Sequence, residues 1–574
     1  MTQRLEDVVL TRPEASRPGP LDQRLFDLVE TRFRRILRDN PVVGTYIGIH
    51  TEDSRLGDGS RDAVLQELAD EKAHLAAVEA IDPAGLSALG RLERDLELHN
   101  VRRQIFDTEV IRTWEQRSTA LDTVGDPMFL IFAQDFAPLS DRLASIAGRL
   151  EAVPEYLEAS KSRATVPQVR LWQRLEIESA ADLPSFVDEI VAAGGELPAA
   201  EQRRLRTAAD GARAALGGYS TWLEGTLADG TDEWALGRER YDELVGLRAF
   251  DGLDTDDILA IGEEQLQRNR EARVEAAREI DPTVDEATVV DRIKDDYPAT
   301  FDEALEAYED VMVRGRRHLI EHAIVSVPDD ERIDVVPTPE YLRNVVPFAA
   351  YFAPPKFDPN PKGIYIVTPS VGDNPRAMRE HNRSSISNTS IHEAYPGHHL
   401  QLAVANRHPS LTRLGTDAPE FVEGWGMYSE QMMREQGFDD APNFRLAMYT
   451  DAIWRACRII LDVRMHRGEL GVEEATEFLV SNTSFEGANA RAEVNRYTYT
   501  PTYQLSYLLG KVLLLQLRAD EQRRLGPRFD LQAFHDTLLN NGSLPISFHR
   551  RLLRETTAAA DGSGGPTARA ARTP

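Results

Sequence analysis

Three histidines and a glutamate fall within eight residues of one another, in the run Ser390-Ile391-His392-Glu393-Ala394-Tyr395-Pro396-Gly397-His398-His399-Leu400-Gln401. Imidazole nitrogens beside a carboxylate suit a catalytic zinc ion, which takes His ligands at about 2.0–2.1 Å and keeps a position open for water. In the usual HExxH arrangement two His at i and i+4 share a helix face, with the Glu as general base. Here position i+4 is Pro396. In an unbroken α-helix His398, at i+6, would be turned about 240° from His392, and His399, at i+7, would lie about 10.5 Å along the axis. Neither suits one small ion. Pro396 lacks an N–H and disfavours helical geometry at Tyr395, while Gly397 admits dihedrals that other residues avoid. The spacing therefore predicts a bulge or break across residues 394–397 that returns one histidine to the metal. His398, directly after the glycine, is the first choice and His399 the alternative.

A third ligand is expected from a later helix. Phe421-Val422-Glu423-Gly424-Trp425-Gly426-Met427-Tyr428-Ser429-Glu430 offers Glu423, 25 residues beyond His398. An isolated Glu in an acidic chain is ordinarily a solvated charge, but Val422 and Trp425 suggest burial, and a buried carboxylate needs a partner. Glu430, seven residues on, shares its helix face and is a candidate to orient a ligand histidine. Downstream, Arg496, Tyr497 and Tyr503 are candidate donors to a tetrahedral oxyanion, set against plain aromatic packing. Arg458, Asp462 and His466 share one helical face and read as a charge ladder or as a network behind the site. Arg383 and Asn388 are further possible substrate contacts.

The elements that must position these groups are mostly helices. An apolar stripe of Leu25, Phe26, Leu28, Val29, Phe33, Ile36 and Leu37 predicts a helix over 22–38, closed by Asn40-Pro41. Similar patterns predict helices near 61–80, 86–105, 138–162, 200–226, 255–280 and 301–322, and helices again from 384 to about 555. Between 332 and 370 the pattern changes to β-favouring runs at 333–336, 345–352 and 363–369, bounded by Pro and Gly. They predict a small sheet just before the motif, its last strand an edge beside the active site. Residues 1–20 and 556–574 read as disordered polar tails, and 21–555 as one helical domain, with two lobes around a cleft as one form of it. The 95 acidic against 66 basic side chains, a net charge of −29, argue against nucleic acid and anionic membrane as partners. One cysteine, Cys457, excludes an intrachain disulfide and reads as a buried thiol. No apolar run of membrane-spanning or signal-peptide length is present, which predicts a cytoplasmic protein.

HEAYPGHHLQ, then VEGWGMYSE, then RY followed by a Tyr-rich segment ending SYLLGK resemble the bacterial family catalogued as domain of unknown function 885. That family is similar in turn to helical zinc peptidases of the thimet-oligopeptidase and Taq-type carboxypeptidase groups, which carry HExGH and a Glu ligand on a later helix. The resemblance implies a gluzincin-like fold, mostly α, with a deep cleft that restricts substrates to short peptides. It implies a two-residue insertion within Ala394–Pro396, and His392, His398 and Glu423 holding one Zn2+ per chain. Glu393 would be the general base, and Tyr497 or Tyr503 would hold the oxyanion opposite the metal. Short peptides or a small amide are the expected substrates. A zinc amidohydrolase acting on a non-peptide amide or ester shares every one of these residues, and a non-catalytic helical binding protein is the rival from another class. Substrate identity, endo- or exopeptidase action and oligomeric state are not encoded in any motif found.

Overall fold

The computed structural model describes residues 5–13, 19–338, 343, 346, 349–358, 360–369 and 378–562, with side chains as far as Glu555. The patterned helices stand at Pro20–Asp39, Arg61–Glu79, Ala88–Phe106, Leu139–Ser160, Ala199–Thr226, Thr255–Ile280 and Phe301–Glu321. Several begin on a side-chain cap: Ser60, Ser87, Asp254 and Thr300 each accept a backbone N–H of the first turn. Further helices, among them Ala120–Ala133, Arg170–Ala193 and Arg238–Arg248, lie outside that set. Two of them carry an internal proline, Pro127 and Pro184. Proline costs a helix a hydrogen bond; here burial of Met128, Ile131, Val187 and Ile190 offsets it.

The helices surround separate apolar cores. One collects Val42, Leu56 and residues of 120–223, another residues of 10–98 with Leu411, and the largest residues from Tyr241 to Leu553. The candidate site lies in the largest. Within it the helices Thr255–Ile280 and Pro442–His466 pack along each other, as do Pro419–Glu435 and Ser506–Leu525. The second pair approaches to backbone contact: a Cβ on Gly424 would stand 2.6 Å from Gly510 Cα, and one on Gly510 would stand 2.0 Å from the Glu420 carbonyl oxygen. Only glycine at both positions allows that approach.

The sheet comprises β1 (Ile333–Pro337), β2 (Ala349–Phe352) and β3 (Gly363–Val367), in the order β1-β3-β2. β3 runs parallel to β1 and antiparallel to β2, with Tyr365 between Val335 and Tyr351. The expectation that the last strand forms an edge beside the site is therefore corrected: β3 is central and β2 is an edge. Gly363, Tyr365, Ile366 and Val367 are all buried, a run that suits a strand covered on both faces. Of the predicted strand over 345–352, residues 345, 347 and 348 lie outside the described residues.

Within the N-terminal tail Leu10 is buried, and Arg34 donates to the carbonyls of Leu5 and Val8. The last helix runs Ile546–Gly562, and residues 563–574 lie outside the described set. Cys457 is buried, and burial pushes its thiol up to about 12. No described helix is long and apolar enough to cross a membrane.

Candidate metal centre

Asn382 caps the first motif helix by accepting the Ser385 N–H at 3.0 Å. The helix Arg383–Glu393 is buried along Ser384, Ile386, Ser387, Asn388, Ser390, Ile391 and His392. It stops at Ala394, and a second helix, His398–Ala405, begins after Gly397. The connection has a defined register. Gly397 N–H donates to Ile391 O at 3.0 Å and Leu400 N–H to Ala394 O at 3.2 Å. Each bond spans six residues where an α-helix spans four. Two residues are thus looped out, and the helix resumes in phase. His398, at i+6 in sequence, takes the place that i+4 holds in a regular helix. Gly397 is required there, because a Cβ would lie 1.8 Å from the His392 carbonyl oxygen. The Tyr395–Pro396 peptide is cis, and Trp425 Nε1 donates to the Pro396 carbonyl at 2.7 Å, tying the loop to the helix Pro419–Glu435.

His392 and His398 meet edge to face, with ring centroids 4.7 Å apart. Their Nε2 atoms lie 3.7 and 3.3 Å from the same oxygen of Glu423, Oε2. The other Glu423 oxygen accepts the Tyr503 phenol at 2.8 Å. Glu430 Oε1 lies 2.7 Å from His392 Nδ1, and its second oxygen accepts Asn388 Nδ2 at 3.0 Å. A carboxylate oxygen of Glu393 and nitrogens of His392 and His398 all fall within 4.8 Å of one another. Distance alone therefore gathers both Glu393 and Glu423 around the histidines. Their surroundings separate them: Glu423 is fixed by Tyr503, whereas the Glu393 side chain has no hydrogen-bond partner among the described residues.

The charges are strongly coupled. Burial would lower His392, yet the carboxylates of Glu423, Glu430 and Glu393 outweigh it and raise the ring to about 10. Burial would raise Glu423, and the facing His398 and His392 instead hold it well below the usual carboxylate range. A cavity of about 430 Å3 opens on the group, and Glu393, Glu423, Glu430 and Asp451 all line it. Four carboxylates and two imidazoles on one cavity form a donor set that fits a divalent metal such as zinc. His392 and His398, with Glu423 or Glu393, could hold such an ion.

A family model matches residues 41–553. The chain belongs to the family described as bacterial protein of unknown function (DUF885). Among solved structures it is similar to a candidate lipoprotein of unknown function from Shewanella oneidensis, at 22% identity and a TM-score of 0.75, over 92% of this chain and 99% of that one. It is also similar to a candidate lipoprotein from Colwellia psychrerythraea, at 18% identity and a TM-score of 0.82, over 94% and 100%. These likenesses concern the fold. No curated protein matches.

In this member of the family His399 points away from the His392, His398 and Glu423 cluster. Its Nε2 lies 2.7 Å from Glu331 Oε2 and its Nδ1 3.0 Å from the Tyr351 hydroxyl. Glu331 also accepts Tyr395 and Arg316. Burial would raise Glu331, but these three donors hold it at about 2. Tyr497 and Arg496 do not line the cavity. The Tyr497 hydroxyl donates to Glu493 and accepts Arg458 Nε, and Arg496 pairs with Glu493. The phenols that do line the cavity are Tyr351, whose hydroxyl meets His399 Nδ1, and Tyr507, whose hydroxyl donates to that of Tyr503 at 3.4 Å. Tyr503 is spent on Glu423.

Of the three residues Arg458, Asp462 and His466, the last two meet along their helix, with His466 Nε2 3.9 Å from Asp462 Oδ1. Asp462 accepts Tyr241 and the Thr502 N–H, and His466 Nε2 meets the Tyr497 carbonyl. Asp462 thus fixes Thr502, at φ 67°, where the turn carrying Tyr503 starts. Arg458 and Asn388 line the cavity, whereas Arg383 lies elsewhere, with Asp296. Sequence reasoning missed Tyr351, Glu331, Asp451, Trp454, Arg455 and Tyr507. Tyr351, in a β-favouring run, and the Trp454-Arg455 pair beside Arg458 left a signal; Glu331, one acid among several, left none.

Proposed function

We propose that the chain is a zinc-dependent hydrolase of gluzincin-like architecture, most simply a metallopeptidase that cleaves short peptides. The observation carrying this reading is the register-restoring loop, which lets His392 Nε2 and His398 Nε2 face one oxygen of Glu423. His392, His398 and Glu423 would hold zinc, which would supply Lewis acidity towards a carbonyl and towards water. Glu393 accepts the proton of the attacking water as the C–O bond forms, and returns it to the amine as the C–N bond breaks. Tyr507 donates to the carbonyl oxygen as that oxygen gains charge. Burial pushes its phenol up to about 12 and keeps it protonated for that task. Tyr503 steadies Glu423, and Glu430 steadies His392.

The test is metal content with turnover. Purified protein takes up about one zinc per chain and loses hydrolysis of a short-peptide panel to chelators. Glu393→Gln keeps the zinc and loses turnover by several orders of magnitude, because it removes the base and no ligand. Full activity in that variant, or no zinc uptake by the wild type, overturns the reading. Hydrolysis of small non-peptide amides or esters in preference to peptides would instead select the amidohydrolase form of the same chemistry. The expected cytoplasmic location and the lipoprotein description of the two structural relatives point to different compartments, which fractionation of native cells separates.

A further inference from the structure

We infer that Arg455 and Arg458 bind a free carboxylate of the substrate, so that the enzyme acts on amides whose amine portion ends in a carboxylate. The inference rests on the hydrolase reading above and names its substrate class.

Both arginines line the cavity that holds His392, His398 and Glu423. Trp454 is their shared platform: the two guanidinium carbons stand 3.9 and 4.0 Å from its ring centroid, for Arg455 and Arg458 respectively. Arg458 also stands 4.7 Å from the Tyr507 ring. Stacking fixes planar cations in orientation without consuming their N–H donors. Arg458 is anchored from behind, Nε to Tyr497 at 3.2 Å and Nη2 to Glu493 at 2.9 Å. Arg455 gives Nη1 to Asp451 at 3.2 Å. Its Nε is buried without a hydrogen-bond partner among the described residues. A guanidinium carries five donors, so each retains N–H groups for a further acceptor, and leaving a buried donor unpaired is costly.

The other ionisable groups on the lining besides tyrosine are the imidazoles of His392 and His398 and the carboxylates of Glu393, Glu423, Glu430 and Asp451. In a chain of net charge −29, two stacked guanidinium groups with unspent N–H donors on the wall of this cavity select an anionic group there. A carboxylate matches a guanidinium edge with two parallel hydrogen bonds. At about 430 Å3 the chamber is near the small end of ligand pockets, which suits one terminal residue better than a chain passing through. A second cavity of about 330 Å3 shares Leu402, Val422 and Glu423 and reaches Tyr503. It gives the acyl portion a place on the far side of Glu423. Hydrolysis then adds water across the amide, leaving an acid on the acyl side and a free amino acid in the Arg455–Arg458 chamber.

The test uses the zinc-loaded full chain with N-acetyl-dialanine and N-acetylalanine, each as free acid and as carboxamide. The free acids are expected to exceed the carboxamides in kcat/KM by about a hundred-fold. Arg455→Gln should collapse that ratio towards one, chiefly through KM, with zinc content unchanged; a merely structural role would lower acid and amide alike. The two acids distinguish a terminal peptide residue from an N-acyl amino acid. Equal turnover of acid and amide overturns the inference and leaves the hydrolase intact. If neither is hydrolysed, calorimetric titration of both forms into zinc-loaded Glu393→Gln decides: preference for the acid, lost in Glu393→Gln/Arg455→Gln, supports the carboxylate site, and no preference overturns it.

Discussion

Glu430 holds His392 by Nδ1 at 2.7 Å, so that the Nε2 edge of the same ring is the one presented to Glu423. The orientation of His392 is thus decided seven residues along the helix that carries Glu423. Glu430→Ala should weaken zinc affinity by about 10–100-fold without abolishing it, the scale typical of partners behind a metal ligand. Competition with a chromogenic chelator measures it, and an unchanged affinity would show that packing alone orients the ring.

The adjacent histidines should behave differently. His398→Ala removes a nitrogen that faces Glu423, and tight zinc binding should vanish. His399→Ala breaks the contacts with Glu331 and Tyr351, so its cost should appear mainly in thermal stability, with zinc affinity down by at most about 100-fold. Titration of zinc into both metal-free variants checks this; loss of binding in His399→Ala alone would reverse the assignment.

Gly426 offers a test of geometry at fixed chemistry. A Cβ there would lie 2.7–2.9 Å from the His392 ring atoms Cε1, Nε2 and Nδ1. Gly426→Ala should displace the ring and cost zinc affinity, although no donor atom has been removed. Circular dichroism should show an intact helical fold, and metal analysis a depleted site.

Acid should destabilise the protein through histidines that are buried neutral. Burial lowers His466 and His535 to about 4 and His549 to about 3, from an ordinary 6.5. Between those values the unfolded chain takes up protons that the folded chain refuses. Their contribution is therefore complete above about pH 6.5 and is lost as the pH falls towards 4 and 3. Each pKa unit corresponds to about 1.4 kcal/mol. His549 has neither ring nitrogen hydrogen-bonded among the described residues and packs 4.2 Å from Phe421. His549→Leu should therefore lose less Tm than wild type between pH 7 and 4.5, measured with chelator present so that metal release does not contribute. An identical loss in both proteins would remove His549 from the account.

The main helices were legible because one apolar stripe per helix must find a core, and Leu25 or Leu37 shows its face by spacing alone. The helices with Pro127 and Pro184 were not, since a local breaker signal is offset by burial that depends on distant residues. At the site, His392, Glu393, His398 and Glu423 stood out by residue type, and Pro396-Gly397 announced a break. The six-residue hydrogen bonds that restore register did not follow from it, because they depend on Trp425 clamping the loop from another helix. Tyr497 and Tyr503 looked equivalent in sequence; Glu493 and Glu423 draw them to different tasks. Glu331 gave no sign, being distinguished only by what folds against it.

The backbone contact at Gly424 and Gly510 makes one side of the chamber a fixed jaw. Two helices already touching there cannot be pushed apart by small side-chain changes, nor drawn closer. Room for a bulkier ligand would have to come from other lining residues, such as Tyr351, Ala353 or Leu402. Libraries aimed at new specificity therefore belong on the edge strand and the second motif helix, and substitutions along the glycine seam would spend their effect on folding.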